Sequence, residues 1–244
     1  MSSSLDIIAL VYKSKDYLKS IKFEIEQTLK NTKVNNWEIN GIIIGNDPTT
    51  EIKDILTNPY FPEYVDTDIY EDHTPHDYYL NRIYRAWNYG VFRSHCDYVC
   101  LVNSDMIFSD NWLSNLINGF EREYRLCIPC SRLVESGKMP SGKWGVSKNF
   151  GRHPNNIDYN GFNQFAKSIS INQNSNGGLY MPCIFERDRF IRNCGYPQGN
   201  ILNSNGNIVK SGDAYFFENY KLKHVTVMDS IVYHIQEGEM DDKV

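Results

Sequence analysis

Apolar runs of strand length alternate with amphipathic segments of helical spacing along the first half of the chain. The apolar runs are rich in Ile and Val and are bounded by polar residues, as buried parallel strands are. They span residues 6–12, 37–45, 64–70 and 97–102. The helical segments cover residues 18–29, 51–56, 79–93 and 111–120, the last preceded by a predicted cap at Ser109 and Asp110. This order predicts an α/β fold with a mostly parallel, Rossmann-like central sheet and helices on both faces.

The second half of the chain has a less regular pattern. A strand is predicted at 126–129, and residues 131–176, which are rich in Gly, Ser, Asn and Lys, are predicted to form a long loop. Within this loop, residues 131–170 contain six Lys or Arg against two acidic residues. The regular pattern then resumes, with a strand at 179–185, a helix at 186–193, a polar loop at 199–211, a helix at 213–220 and a strand at 225–233.

Charge and hydropathy exclude some classes of function. The chain has 25 Lys and Arg against 30 Asp and Glu, a net charge of −5. A general nucleic-acid binder needs a surplus of cations to neutralise phosphates, so we expect no nucleic-acid partner. The first residues lack the basic and apolar regions of a secretory signal, and no apolar run reaches the roughly 18 residues of a transmembrane segment. We therefore expect a cytoplasmic protein, free or peripheral to a membrane. Its oligomeric state stays open.

The six cysteines include one pair with a familiar spacing. Cys127 and Cys130 form a C-x-x-C motif, which occurs in redox and zinc sites. A zinc site of that kind needs a second pair at similar spacing, and the sequence contains none. We therefore expect reduced, structural thiols.

Polar side chains follow three of the predicted strands. They are Tyr12 and Lys13, then Asn46 and Asp47, then Asn103, Ser104 and Asp105. Open α/β sheets bind ligands beyond the carboxyl ends of their strands, so these positions are candidates for a site. Asn103 and Asp105 leave a strand end on the same side and offer oxygen atoms, which Mg²⁺ and Mn²⁺ prefer as ligands. A helix N-cap turn is the alternative interpretation of the same triplet.

In this context, residues 97–113 resemble the metal-binding segment of family 2 glycosyltransferases with the GT-A fold, where a hydrophobic strand runs into a D-x-D or N-x-D triplet. Other segments are similar to that family in the same order. They are the first strand at 7–12, the second strand and nucleoside turn at 42–50, the helix with an Asn-x-Gly signature at 80–91, the glycine-led strand and helix at 176–195, the catalytic segment at 211–218 and the late histidine at 232–234. The resemblance implies one GT-A domain over 1–244, with a nucleotide-binding half at 1–105 and an acceptor-binding half at 106–244.

The resemblance also implies an activity, namely inverting transfer of a sugar from a nucleotide-diphospho-sugar to a glycan or another hydroxyl acceptor. Asp105, assisted by Asn103 and His234, would bind the divalent metal, Mn²⁺ or Mg²⁺. Asp213 would be the general base that takes the proton of the acceptor hydroxyl. The nucleotide would contact Val11, Tyr12, Asn46, Asp47, Asn88, Asn103 and Ser104. The donor and acceptor sugars would contact Gly177 and Gly178. Apart from the resemblance, Trp144 is a candidate for stacking on a sugar ring, with core or loop packing as the alternative.

The chain departs from the family pattern at three positions. Lys13 replaces the usual Asn after the first-strand Tyr, Asn103 replaces the first Asp of D-x-D, and Gly212 replaces the acid before Asp213. The Asn103 variant removes one negative charge from the expected metal site.

Several candidate residues also have an alternative interpretation, in which their role is purely structural. Asp213 could cap its helix, His234 could be a hydrogen-bonded histidine at a strand end, and Asp47 could form an Asx turn. The basic segment 131–170 is either an exposed loop or a cover for the diphosphate. A polar stretch with His73, His76 and two acids, Asp72 and Asp77, is a solvated loop or a metal site.

Two other functions remain open from the sequence. A nucleotidyltransferase shares metal carboxylates and a Rossmann-like sheet, but it normally has a glycine-rich phosphate loop after the first strand, which Tyr12 to Asp16 lack. A non-catalytic nucleotide- or sugar-binding module on a degenerate GT-A fold is the second alternative, and Asn103 and Gly212 keep it open.

Overall fold

The computed structural model of the chain describes residues 2–61, 64–72, 74, 79–137 and 144–236. Predictions that concern His73, His76 and Asp77, and those for Lys138 and Lys143 of the basic segment, lie outside the described residues.

The described residues form twelve strands and seven α-helices. The strands are β1 (Ser3–Val11), β2 (Trp37–Asn46), β3 (Asp66–Tyr70), β4 (Tyr98–Asn103), β5 (Met106–Phe108), β6 (Cys127–Glu135), β7 (Gly145–Ser147), β8 (Asn174–Asn176), β9 (Cys183–Glu186), β10 (Ile201–Leu202), β11 (Ile208–Lys210) and β12 (Lys223–His234). The helices are α1 (Lys15–Asn31), α2 (Thr50–Leu56), α3 (Tyr79–Arg93), α4 (Trp112–Arg122), α5 (Tyr159–Ile169), α6 (Arg187–Arg192) and α7 (Gly212–Asn219).

One central sheet runs through the molecule in the order β3-β2-β1-β4-β9-β6-β12-β5, with β7 beside β6 and β8 beside β12. The four strands β3, β2, β1 and β4 are parallel to one another, as the alternating sequence pattern predicts. Strand β9 lies antiparallel between β4 and β6, and β12 is parallel to β6. The mostly parallel α/β architecture is thus confirmed.

Helix α1 illustrates how the local sequence sets the packing. The Ser14 side chain accepts a hydrogen bond from the Tyr17 backbone N–H and caps the helix. Leu18, Ile21 and Ile25 then recur on one face and are fully buried in the main core. The predicted amphipathic helix is present with the predicted buried face.

The prediction of a long loop at 131–176 is wrong. This segment contains the end of β6, strands β7 and β8, and helix α5. Phe162 and Ala166 of α5 are buried in a second apolar cluster with Phe150 and Tyr233. A short apolar face at i, i+4 within a Gly-, Ser- and Asn-rich segment is enough to anchor a helix when a sheet face lies beneath it.

Two smaller predictions are also corrected. Ser109 does not cap α4, because its hydroxyl donates to the Ile231 carbonyl at 2.7 Å and the helix begins at Trp112 after Asn111, whose φ is 62°. The polar loop predicted at 199–211 contains a small hairpin of β10 and β11.

Among the described residues, no helix combines the length and the apolar character that crossing a lipid bilayer requires.

Candidate active site

The carboxyl ends of β1, β2 and β4 meet at one edge of the sheet. In the strand register, Asn103 lies opposite Leu10, and Val11 lies opposite Gly45. The residues that follow these positions, including Tyr12 and Asn46, therefore leave the sheet at the same edge, where open α/β sheets bind ligands.

Asp105 and His234 are brought together, although they lie far apart in the sequence. Asp105 occupies the turn between β4 and β5, and His234 is the last residue of β12, where it pairs with Met106. The His234 Nε2 atom lies 3.1 Å from Asp105 Oδ2, and the Ile235 backbone N–H donates to the Asp105 carbonyl at 3.0 Å. The sequence predicts both residues as metal ligands, and the geometry of the pair is compatible with that prediction.

Glu135 contacts the same imidazole from the other side. It ends β6 directly beside His234 in the parallel register, and its Oε2 lies 3.0 Å from His234 Nδ1. Both carboxylates, Asp105 and Glu135, are buried. Burial acts to lower the pKa of His234, but the two carboxylates outweigh it and raise that pKa to about 10.

This cluster offers the donors that a divalent cation needs. Asp105 supplies a carboxylate oxygen, and His234 supplies a ring nitrogen once a cation displaces the proton from Nε2; Asn103 stands two residues before Asp105. Glu135 can hold the second ring nitrogen, as carboxylates often do behind metal-binding histidines. The residues present thus fit the implied metal. Sequence reasoning missed Glu135, because its position at the end of β6 becomes visible only once that strand is known to extend to residue 135.

Asn46 and Asp47 at the end of β2 have different surroundings. The Asn46 Oδ1 atom is buried and, among the described residues, has no hydrogen-bond partner. Asp47 adopts a φ of 46°, accepts the Asp72 N–H at 2.6 Å and lies 3.2 Å from Arg82 Nη1. The Asp47 side chain therefore links the end of β2 to Asp72 and to α3, which are not the local partners of an Asx turn, while Asn46 offers a free acceptor.

Arg82 and Arg85 of α3 and the acid Asp72 lie beside Asp47; sequence reasoning missed both arginines and named Asp72 only as part of a polar stretch. Arg85 pairs with Asp72 through Nε and donates from Nη1 to the Gln198 carbonyl at 2.8 Å. Burial acts to raise the pKa of Asp72, but hydrogen bonds from Thr74 and Arg85 outweigh it and lower that pKa. The spacing of Arg82 and Arg85, three residues apart on a helix, is the signal that could have placed them on one face.

The Asn-x-Gly signature of α3 is explained by packing. Asn88 Nδ2 donates to the Tyr196 carbonyl and Asn88 Oδ1 accepts the Tyr196 N–H, both at 2.8 Å. A Cβ on Gly90 would lie 2.8 Å from Ile8 Cγ2, so glycine permits the close approach of α3 to β1. This arrangement favours a structural role for Asn88 over the predicted nucleotide contact.

Trp144 and Gly177 of the predicted sugar site are in direct contact. Trp144 Nε1 donates to the Asn176 carbonyl at 2.8 Å, and a Cβ on Gly177 would lie 2.5 Å from the Trp144 ring. Gly177 has a φ of 80°, a conformation that glycine adopts without strain. The indole therefore packs against residues 176–178, the glycine segment.

Asp213 lies in the first turn of α7, where the helix dipole favours a negative charge. Its Oδ1 accepts the Ala214 N–H at 2.7 Å. The Phe217 ring of the same helix lies 4.8 Å from the Tyr180 ring, so α7 packs beside the end of the glycine segment. A Cβ on Gly212 would come within 2.5 Å of the Tyr84 ring, which accounts for glycine in place of the family's acid.

Three of the six cations in the basic segment are engaged within the protein. Arg132 donates to the Ile169 carbonyl at 2.9 Å, Lys167 lies 2.9 Å from Asp110, and Lys148 sits 4.0 Å above the Phe165 ring. These three side chains are therefore held by contacts within the protein. This arrangement disfavours the interpretation of the described part of the basic segment as a cover for the diphosphate.

Comparisons with known proteins agree with the fold and with the resemblance. Residues 75–180 match the model of the family described as glycosyl transferase family 2. The matched segment covers α3, the Asn103–Asp105 triplet and the residues up to Tyr180. The chain is thus similar to glycosyl transferase family 2 over 106 of its 244 residues. A search of curated protein sequences finds no match.

Solved structures share the fold at low sequence identity. The S. aureus TarS 1–349 structure has a TM-score of 0.57 and 12% identity, and the match covers 96% of this chain and 60% of that one. A structure of GalNAc-T7 with UDP, GalNAc and Mn²⁺ has a TM-score of 0.62 and 10% identity. This match covers 96% of the present chain and 44% of the GalNAc-T7 chain. The chain thus has the GT-A fold and spans less than two thirds of either neighbour.

Proposed function

We propose that this chain transfers a sugar from a nucleotide-diphospho-sugar to a hydroxyl acceptor, such as a glycan, with inversion at the anomeric carbon. The observation that carries the proposal is the contact of Asp105 with His234 at the sheet edge, backed by Glu135. The match of residues 75–180 to the glycosyl transferase family 2 model supports the reaction class, and the buried carboxylate and imidazole support a metal-assisted form of it.

Asp105 and His234, with Asn103, would hold a divalent metal, Mn²⁺ or Mg²⁺. When bound, such an ion neutralises the negative charge that develops on the leaving nucleoside diphosphate. The GalNAc-T7 structure, which shares the fold, contains UDP and Mn²⁺. Glu135 would keep the His234 ring oriented with Nε2 toward the ligand.

Asp213 is proposed as the general base. Its carboxylate would accept the proton of the acceptor hydroxyl while that oxygen forms a bond to the anomeric carbon and the bond to the diphosphate breaks. The electron pair of the broken bond leaves with the nucleoside diphosphate. The packing of α7 beside Tyr180 supports this role, because the glycine segment with Gly177 and Gly178 is the proposed sugar site.

The nucleoside is proposed to lie against the ends of β1 and β2, near Val11, Tyr12 and Asp47, with Ser104 beside the diphosphate. The unpartnered Oδ1 atom of Asn46 supports this placement, because a buried acceptor without a donor is costly unless a ligand supplies one. A base N–H is the kind of donor that would satisfy it.

Release of nucleoside diphosphate from a panel of nucleotide-sugars, with and without Mn²⁺, tests the proposal. We expect slow metal-dependent hydrolysis of one donor without acceptor. Asp105→Asn should lose both this reaction and metal-dependent donor binding. Asp213→Ala should lower transfer by about 10²- to 10⁴-fold and keep donor binding by calorimetry. Asp110→Asn, in the exposed turn before α4, is the matched control and should behave as the unmodified chain.

The same assay distinguishes the alternative functions. Release of nucleoside monophosphate with a sugar phosphate would indicate a nucleotidyltransferase. Donor binding without turnover of any nucleotide-sugar would indicate a binding module. Full turnover by Asp213→Ala would remove this residue from the mechanism.

A further inference from the structure

Two thiols and an imidazole converge below the glycine segment, from three different strands. They are Cys130 of β6, Cys183 of β9 and His224 of β12, and their ligand atoms all lie within 4.8 Å of one another. Cys130 and Cys183 are directly paired in the antiparallel register. His224 stands ten residues before His234 on the same strand, so this cluster is separate from the Asp105 site.

The donor atoms of this cluster are shielded from water. Cys130 and Cys183 are both completely buried. The Nε2 atom of His224 is buried and has no hydrogen-bond partner in the part of the chain that the structure describes. A buried ring nitrogen without a hydrogen-bond partner destabilises the folded state unless a ligand or another polar group binds it.

Gly178 packs closely against these donors. A Cβ on this residue would lie 2.2 Å from Cys130 Sγ, 2.9 Å from His224 Nε2 and 2.9 Å from Thr226 Oγ1. The absence of a side chain thus permits a sulfur, a ring nitrogen and a hydroxyl to approach the same backbone position.

We propose that Cys130, Cys183 and His224 bind a zinc ion that fastens β6, β9 and β12 beneath the sugar site. Thiolate and imidazole are the ligands that zinc selects in proteins. Two thiols lose their protons, two Zn–S bonds and one Zn–N bond form, and the site becomes electrically neutral. Neutrality is what a buried position requires, because an unbalanced charge there is expensive.

The C-x-x-C motif does not build this site. Cys127 and Cys130 are three residues apart on one strand, so their side chains point to opposite faces of the sheet. The partners of Cys130 come from residues 183 and 224, and no spacing rule connects these positions.

Metal analysis of the full chain, purified without chelators, tests the proposal directly. We expect close to one zinc ion per chain by plasma mass spectrometry. The zinc-free chain should bind Co²⁺ and develop the thiolate-to-cobalt charge-transfer bands of a two-thiolate site. Adding zinc to the zinc-free chain should raise its Tm, because a ligand that binds only the folded state stabilises it.

Single substitutions locate the ion. Cys183→Ser and His224→Gln should each lose most of the zinc, while Cys127→Ala, the matched buried cysteine on the other face of β6, should retain it. Asp105→Asn should also retain it, which separates this site from the proposed catalytic metal.

The cobalt spectrum of the unmodified chain needs no variant, so a failure of the variants to fold does not affect the test. Absence of zinc from the purified chain, together with absence of cobalt charge-transfer bands, would overturn the proposal. A disulfide between Cys130 and Cys183 in the freshly purified chain would overturn it as well, because an oxidised pair cannot supply two thiolates.

Discussion

At the scale of single residues, Glu135 determines how His234 is presented to the proposed metal. It is buried and holds His234 Nδ1 on the side of the ring opposite Asp105. It is therefore a positioning residue. Its carboxylate fixes which ring nitrogen faces the metal and makes that nitrogen a better donor.

Glu135→Gln should weaken Mn²⁺ binding about 10- to 100-fold, the usual cost of losing the carboxylate behind a metal-binding histidine. The measurement is the Mn²⁺ concentration that gives half of the maximal donor hydrolysis. Glu38→Gln, on exposed β2 surface, is the control. An unchanged Mn²⁺ requirement in Glu135→Gln would show that His234 does not need this partner.

At the scale of elements, helix α1 carries an acid in its buried face. The Glu24 side chain accepts the Phe108 N–H at 2.8 Å and so joins α1 to β5. Burial raises the pKa of Glu24 to about 8, although hydrogen bonds from Phe108 and Tyr159 oppose the shift. The neutral form is therefore the one that the fold favours.

This shift sets a pH dependence of stability. The folded pKa of Glu24 lies above the unfolded value of 4.5, so its contribution to stability is complete below pH 4.5 and is lost as pH rises through about 8. Glu24→Gln should therefore be more stable than the unmodified chain at pH 8.5, by a few kcal/mol at most, and equal to it near pH 4.5. Urea unfolding at the two pH values measures the difference. A constant difference at both values would contradict the prediction.

Helix α3 depends on close contact with β1. Gly90→Ala adds a methyl group 2.8 Å from Ile8 Cγ2, a branched side chain held in the sheet. Alanine would gain about 1 kcal/mol from helix propensity, but crowding in a close-packed core costs about 1–3 kcal/mol. We expect a net loss of unfolding free energy by denaturant titration. A more stable Gly90→Ala variant would show that α3 can move away from the sheet.

At the scale of the whole molecule, the two predicted halves are joined by one sheet. Strand β9 comes from the second half (106–244) and pairs with β4 of the first half (1–105). Asp105, which ends the first half, contacts His234 near the end of the second. Neither half holds a complete site.

We therefore expect one cooperative unfolding transition for the chain. Urea titrations followed by tryptophan fluorescence and by far-ultraviolet circular dichroism should coincide. A fragment of residues 1–105 should lack a stable fold, because β4 would lose its neighbour β9. Two separate transitions would show that the halves are independent domains.

The sequence predicts the parts of this molecule that depend on neighbours along the chain. Leu18, Ile21 and Ile25 repeat at helical spacing, so α1 and its buried face are predictable. The regularly alternating first half yields the parallel strands for the same reason. Helix α5 is not predictable, because Phe162 and Ala166 are a weak signal among polar residues and only the sheet beneath them makes the helix stable.

The candidate site was predictable only through the family resemblance. Periodicity cannot relate Asp105 to His234, because their contact depends on how β12 inserts beside β5 and β6. Glu135 and the cluster of Cys130, Cys183 and His224 have no local pattern at all. They are neighbours only because three distant strands lie side by side.

Strand β9 also affects how the chain is made. It fills the gap between β4 and β6, yet it begins at Cys183, 80 residues after β4 ends at Asn103. At roughly 5–20 residues per second, ribosomes need about 4–16 s to synthesise that interval. During this time the growing chain presents an uncovered strand edge, which can pair with another nascent chain. The yield of correctly folded protein should therefore depend on translation speed across residues 104–182, even where the finished fold is equally stable.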